Sequence, residues 1–224
     1  MVSYKLTYFD GRGTAEVIRQ IFALAGEKYE DVRISRDEWQ KLKPQMPFGQ
    51  LPVLEVDLKE VAQSPDHQKL PGNEKTWKLA QSFAIARFLA KQFGFSPKCP
   101  FEEALVDSLM DQYKDFMNEI RPLLMVVMGF AQGDIDKLTK DVFVPARDKF
   151  FGFMTNFLKK NGSGYLVGSS ITIADLLLAE FSAEVAKKIP TLYDGYPEIK
   201  AHAEKVRSNP ALKKWIETRP ETKF

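Results

Sequence analysis

Every strand-like alternation in this sequence falls before residue 94, and everything beyond residue 100 reads as helix. That break constrains the fold more than any single motif. Before it, "YKLTYF" alternates and is rich in aromatic residues, which predicts a strand over residues 4–8. Gly11 and Gly13 mark a turn. "TAEVIRQIFALAG" then sets Val17, Ile18, Ile21, Phe22 and Leu24 on one helical face, with Gly26 as the stop. "YEDVRI" is a second strand and "RDEWQKLKPQM" a short, irregular helix ending near Pro44. "LPVLEV" is a further strand that opens on a proline, and a helix runs from about Ser82 to Phe93. Strand–helix–strand implies a parallel pair with a right-handed crossover, while the later strands can pair antiparallel. The expected first domain, residues 1–93, is an α/β unit: a small mixed sheet with helices on both faces.

"GFSPKCP", residues 94–100, is the linker candidate. The expected second domain, residues 101–224, is all-α. Its first helical stretch, 101–130, contains Pro122, which should kink or split it; the next, 134–160, contains Pro145. "ITIADLLLAEFSAEVA" is apolar enough to be a central, buried helix. Thr172 can cap it, Asp175 can reach back to the cap, and Ile171 and Leu176 sit where a hydrophobic staple packs.

Composition excludes several functions. The 32 basic and 30 acidic residues leave a net charge of +2, which gives no argument for nucleic acid or an anionic membrane as partner. Cys99 is the one cysteine, so no internal disulfide forms and a reducing compartment fits best. No apolar run approaches ~18 residues, and "MVSYKLTYFDGRG" carries no leader pattern. The expected location is cytoplasmic. His67 and His202 lie far apart, and no metal site is expected. There is no G-x-S-x-G, H-E-x-x-H or P-loop, and Gly11-Arg12-Gly13 is too short for a dinucleotide fingerprint. Two residues stand out instead: Tyr8 at the end of the first strand and Pro52 at the start of the third.

The segments "YKLTYFDGRG", "RDEWQKLK", "MPFGQLPVLEVD", "LAQSFAIARFLAKQFG", "VDSLMDQY", "VPARDKFFGF" and "LKKWIETRPETKF" resemble the cytosolic glutathione transferases. The likeness is to nematode-type members of the sigma class, the class of the haematopoietic prostaglandin D synthases, and spans the chain except the stretch between two Gln-Ser pairs. It implies a thioredoxin-like first domain with a mixed four-stranded sheet and an all-α second domain. It implies an enzyme that joins the thiolate of reduced glutathione, a co-substrate, to hydrophobic electrophiles in detoxification, with peroxidase or prostaglandin isomerase activity on the side. No permanently bound cofactor is implied. Tyr8 would donate its hydroxyl to the sulfur. A thiol with a pKa of ~8.5 is mostly protonated at pH 7, and the thiolate is the nucleophile. Leu51-Pro52 would be a cis peptide, with Leu51 pairing like a strand to the cysteinyl part, beside Gly49 and Gln50. Trp39 and Lys43 would hold the glycyl carboxylate, and a Gln-Ser pair at a helix start the γ-glutamyl end. Asp111 would reach the γ-glutamyl amine from the other subunit of a homodimer. Phe9, Thr14, Met117 and Phe224 would line the electrophile pocket. Thr14 stands where many sigma members carry an arginine against the tyrosine, and Met110 where some carry a carboxylate tied to metal activation. A non-catalytic carrier of glutathione, haem or other hydrophobic ligands is the alternative on the same fold.

Ala-Gln-Ser occurs twice, at 62–64 and 80–82. The first copy is followed by "PDHQKLPGNEK", which has no apolar face and is stopped by Pro71-Gly72. The second leads into "FAIARFLAKQFG". The expectation is that Gln81 and Ser82 serve the site, with Ser82 as the cap. The first copy then belongs to an insertion over about 58–77.

Overall fold

The computed structural model describes residues 3–57 and 76–222. By contacts it divides into two units. One holds the described residues up to Phe93 together with those from Lys214; the other is Gly94–Lys213. The sequence had assigned the residues from Lys214 to the helical domain, and the structure instead clusters the described ones, 214–222, with the first unit.

The first unit is a four-stranded sheet in the order β2-β1-β3-β4, with strands β1 (Tyr4–Phe9), β2 (Glu30–Ile34), β3 (Val53–Asp57) and β4 (Thr76–Ala80). β1 pairs parallel with β2, and β3 pairs antiparallel with both β1 and β4. Thr76 and Trp77, expected inside the insertion, are strand residues: Trp77 pairs with Val56 and Thr76 with Asp57. An aromatic and a β-branched residue suit a pleated ladder, which explains the difference. The first Ala-Gln-Ser lies outside the described residues.

Alternation assigns the faces. Tyr4, Leu6 and Tyr8 point one way along β1. Tyr4 meets Phe22 of α1 (Glu16–Ala25) at 5.4 Å between ring centroids and Phe93 of α3 (Ser82–Phe93) at 5.8 Å. Burial and Glu27 hold the Tyr4 hydroxyl above the usual tyrosine pKa. Glycine at 26 takes φ +65°, closing α1 as expected. On the other face Val53, Ala80 and Met46 form a cluster with Trp39 and Leu42 of α2 (Arg36–Leu42). Ser35 and Glu38 cap α2 reciprocally, and the Ser35 hydrogen bonds hold the Glu38 carboxyl below its ordinary pKa.

The second unit is helical. α4 (Pro100–Glu119) and α5 (Arg121–Val127) meet at Ile120, so Pro122 splits the expected helix. α6 (Ile135–Leu138) passes through a π-turn, Thr139–Phe143, into α7 (Val144–Asn161). The wide turn stands just before Pro145, which lacks a backbone donor and sits in the first turn of α7. α8 (Ile173–Ala186) is the buried central helix, followed by α9 (Pro197–Arg207) and α10 (Pro210–Thr218). Among the described residues no helix is long and apolar enough to cross a membrane.

Asp175 organises the start of α8. It has no exposed surface and accepts from the Thr172 N–H and hydroxyl, each at 2.8 Å, and from the Leu166 N–H at 2.8 Å. His202 Nε2 of α9 donates to it at 2.9 Å, a partner the sequence did not suggest. Asp175→Ala strips all four donors of their acceptor in a buried site. It should cost about 3 kcal/mol or more, against about 1 kcal/mol for an exposed cap. Urea denaturation followed by far-ultraviolet circular dichroism checks this.

Candidate functional site at one end of the sheet

Thr7 pairs with Val53, and Val53 with Ala80. β1, β2 and β4 therefore end, and β3 begins, at the same end of the sheet. This places Tyr8 and Phe9, the entry to α2, Leu51-Pro52, and Gln81-Ser82 along one edge. Trp39 and Lys43 follow from α2, and Gly49 and Gln50 from the loop before β3.

Tyr8 is half-buried, and its hydroxyl oxygen stands 3.3 Å from both the backbone N and Oγ1 of Thr14. The turn carrying Thr14 requires glycine before it. Gly13 has φ +41°, and a Cβ there would lie 2.4 Å from the Tyr8 oxygen. Phe9 points to the opposite face and meets Trp39 edge-on at 5.9 Å. Lys43 opens a 3₁₀ turn after α2, and its stem runs beside Gly49, whose φ is +56°. Leu51-Pro52 is cis, as the resemblance implied.

Gln81 has φ +74°, and no other described non-glycine residue takes a positive φ. Its carbonyl accepts the first bond of α3, from the Ile85 N–H at 2.9 Å. Gln81 is therefore the cap residue and Ser82 the first helical residue, one position earlier than the sequence suggested, which had Ser82 as the cap. The Gln81 amide donates to Gln50 Oε1 at 3.1 Å, joining the two loops. An unfavourable backbone angle at a site edge is characteristic of functional positions.

Behind Tyr8 lies a charge network that the sequence did not reveal. Arg19 has no exposed surface. Its Nε pairs with Asp31 at 3.1 Å, its Nη1 donates to the Gly11 carbonyl at 2.6 Å, and its guanidinium carbon lies 5.9 Å from the Tyr8 ring centroid. Arg33 continues the network from Asp31 to Asp10. Glu16, 2% exposed, accepts from Trp215 Nε1 at 2.8 Å and Arg219 Nη1 at 2.6 Å. Only the coordinates bring in Trp215 and Arg219, about two hundred residues away; no local pattern could announce them.

Asp111 and Met117 lie on α4 in the second unit, Asp111 exposed and Met117 half-buried. Met110 is fully buried there. Phe224 lies outside the described residues. Among the described residues no group of three or more His, Cys, Asp or Glu stands close enough to hold a metal ion.

Comparison with known proteins gives this arrangement a family. Residues 4–65 match the model for "Glutathione S-transferase, N-terminal domain", and residues 114–219 the corresponding C-terminal domain. "Probable glutathione S-transferase 8" of Caenorhabditis elegans is 54% identical over the whole of both chains. The chain belongs to the glutathione S-transferase family. It is an enzyme of that family, with the family's two-part architecture. The crystal structure of Na-GST-3, a glutathione S-transferase of Necator americanus described as monomeric, is 71% identical. Its TM-score is 0.90, covering 99% of this chain and all of that one. A Nu-class glutathione S-transferase of Haemonchus contortus is 57% identical, with a TM-score of 0.86 over the whole of both chains. Prostaglandin synthase D of Nilaparvata lugens is 30% identical, with a TM-score of 0.78 over 98% of this chain and all of that one.

Proposed function

We propose that this transferase joins the thiolate of reduced glutathione to hydrophobic electrophiles, with Tyr8 as the hydroxyl that holds the sulfur. The observation that carries the proposal is the convergence of Tyr8, the cis Leu51-Pro52 bond and the Gln50–Gln81 pair at one end of the sheet. Tyr8 donates its proton into a hydrogen bond with the thiolate, favouring the ionised, nucleophilic form. Leu51 offers its backbone to the cysteinyl part. Gln81, Ser82 and the N-terminus of α3 receive the γ-glutamyl carboxylate; Trp39 and Lys43 receive the glycyl carboxylate. Phe9 and Thr14 stand beside the tyrosine on this unit, where the electrophile arrives. No resident metal or cofactor takes part in this reading. The identities favour grouping the chain with Nu-class nematode enzymes over sigma-class ones, and the distant prostaglandin synthase lends little to an isomerase side activity.

Tyr8→Phe removes the donor and leaves the ring. Turnover of a chloronitrobenzene substrate should fall about tenfold to a hundredfold at pH 6.5, as a thiol pKa shift of about one to two units requires. Retention on glutathione-agarose should persist. Unchanged turnover would end the tyrosine mechanism, and retention without turnover in the unaltered protein would favour the carrier reading.

The family match ends at residue 65, just past the first Gln-Ser pair, whereas the observed helix start falls within the second. We take the second pair as functional. Gln81→Ala and Ser82→Ala should each weaken glutathione binding about tenfold by calorimetry, the scale of a hydrogen bond to a charged group. Gln63→Ala and Ser64→Ala should leave it unchanged. The opposite pattern would transfer the role to the first pair.

Assembly enters through Asp111. In a homodimer it serves the neighbouring site, and the exposed Phe48 (65%) and Phe101 (72%) are surfaces a second copy would cover. The monomeric Na-GST-3 favours a second reading, a site complete in one chain. Light scattering and Asp111→Ala separate the two. A dimer whose glutathione affinity drops severalfold on substitution supports the first reading. A monomer with unchanged affinity supports the second.

A further inference from the structure

Resting on the reading of Tyr8 as the sulfur-binding hydroxyl, we propose that the buried Arg19 is a positioning residue for the thiol chemistry, acting through the Tyr8 ring and the Gly11–Thr14 turn. Its guanidinium carbon lies 5.9 Å from the ring centroid, within the range where a cation and an aromatic face attract. The guanidinium has no exposed surface, so water does not screen this contact as it would at the surface. A cation at the ring draws electron density from the phenol, makes the hydroxyl a stronger donor and favours the negative charge it shares with a bound thiolate.

The same side chain fixes the hydroxyl's surroundings. Its Nη1 bond to the Gly11 carbonyl pins the turn whose Thr14 N–H and hydroxyl stand 3.3 Å from the Tyr8 oxygen. Asp31 holds the guanidinium in plane through Nε. Nη2 is buried without a hydrogen-bond partner among the described residues, so ion pairing does not use up the group. The charged groups linked to Arg19 are Glu16 on α1, Asp31 and Arg33 on β2, and Asp10 in the turn. Thr14, on the hydroxyl side, is neutral and exposed. Arg19 is the cation that stands over the Tyr8 ring.

Arg19→Gln and Arg19→Lys test the proposal. In the glutamine variant Asp31 keeps Arg33, and Glu16 keeps Trp215 and Arg219, so neither carboxylate is stripped bare. The thiolate absorbance of bound glutathione and kcat/KM are followed against pH, with affinity for S-methylglutathione, which has no thiol to ionise, as the companion readout. In Arg19→Gln the midpoint of thiolate formation should rise by about half to one pH unit. Below it kcat/KM should fall about threefold to tenfold, recovering at high pH. Affinity for S-methylglutathione should stay within about twofold. Arg19→Lys keeps the charge but loses the planar contact and should fall between. An unchanged midpoint in either folded variant overturns the proposal. So does an equal loss at every pH accompanied by weaker S-methylglutathione binding, which marks a purely structural role. If only the lysine variant folds, its midpoint decides. Tyr8→Phe is titrated in parallel. If it leaves the midpoint in place, the Tyr8 reading fails on its own; if it raises the midpoint while Arg19→Gln does not, only the Arg19 proposal fails.

Discussion

Thr7 faces Val53, and Val53 faces Ala80, and this line of three residues across the sheet decides where the chemistry can be. A slip of one residue would turn every side chain of a strand to the opposite face. Tyr8 would then leave the α1 side, and Phe9 would lose Trp39. The register is secured from both sides. Leu6 and Leu54 have no exposed surface on one face; Val53 and Met46 are buried on the other. Packing that serves stability thus fixes four chain segments to a common edge, and the residues proposed to bind glutathione are drawn from those segments.

Behind that edge the protein buries charges, which costs free energy unless each is paired. Glu16 answers to Trp215 and Arg219, and Arg19 to Asp31 and the Gly11 carbonyl. Removing one partner of such a pair costs about 3–5 kcal/mol because the remaining charge is stranded. The network therefore commits the residues from Lys214 onward to the first unit, although their helix starts at Pro210 among the residues of the second. Domain boundaries drawn from composition follow loops and linkers. This one follows a carboxylate.

Local signals made much of the fold legible. Alternation, helical faces, Gly26 and the Thr172–Asp175 box each depend on residues within a few positions of one another, and each gave the observed element. Pro122 and Pro145 were readable as breaks, but whether a break becomes a split or a π-turn depends on packing. The end of the insertion was misjudged because Thr76 and Trp77 look like loop anchors until Val56 and Asp57 stand opposite them. Of the candidate site, Tyr8, Trp39, Lys43 and Leu51-Pro52 were proposed through long motifs, and the cis bond at Leu51-Pro52 is observed. The roles of Trp215 and Arg219 behind the site, and of His202 at the start of α8, could not be read that way, because their partners lie 199, 203 and 27 residues away.

The repeated Ala-Gln-Ser shows how far sequence and geometry differ in what they can decide. Two identical tripeptides have identical intrinsic propensities, so only context separates them. Sequence context favoured the second copy because an apolar helix follows it. The structure adds a reason that composition cannot hold: Gln81 adopts φ +74° and still closes the first turn of α3 with its carbonyl. A glutamine in that region costs about 1 kcal/mol or more, where glycine would cost less. The Gln81 amide offsets part of that by reaching Gln50 across the site edge. A backbone angle that stability alone would assign to glycine, occupied by an amide aimed at the neighbouring loop, is what supports proposing Gln81 as a binding residue rather than a turn residue.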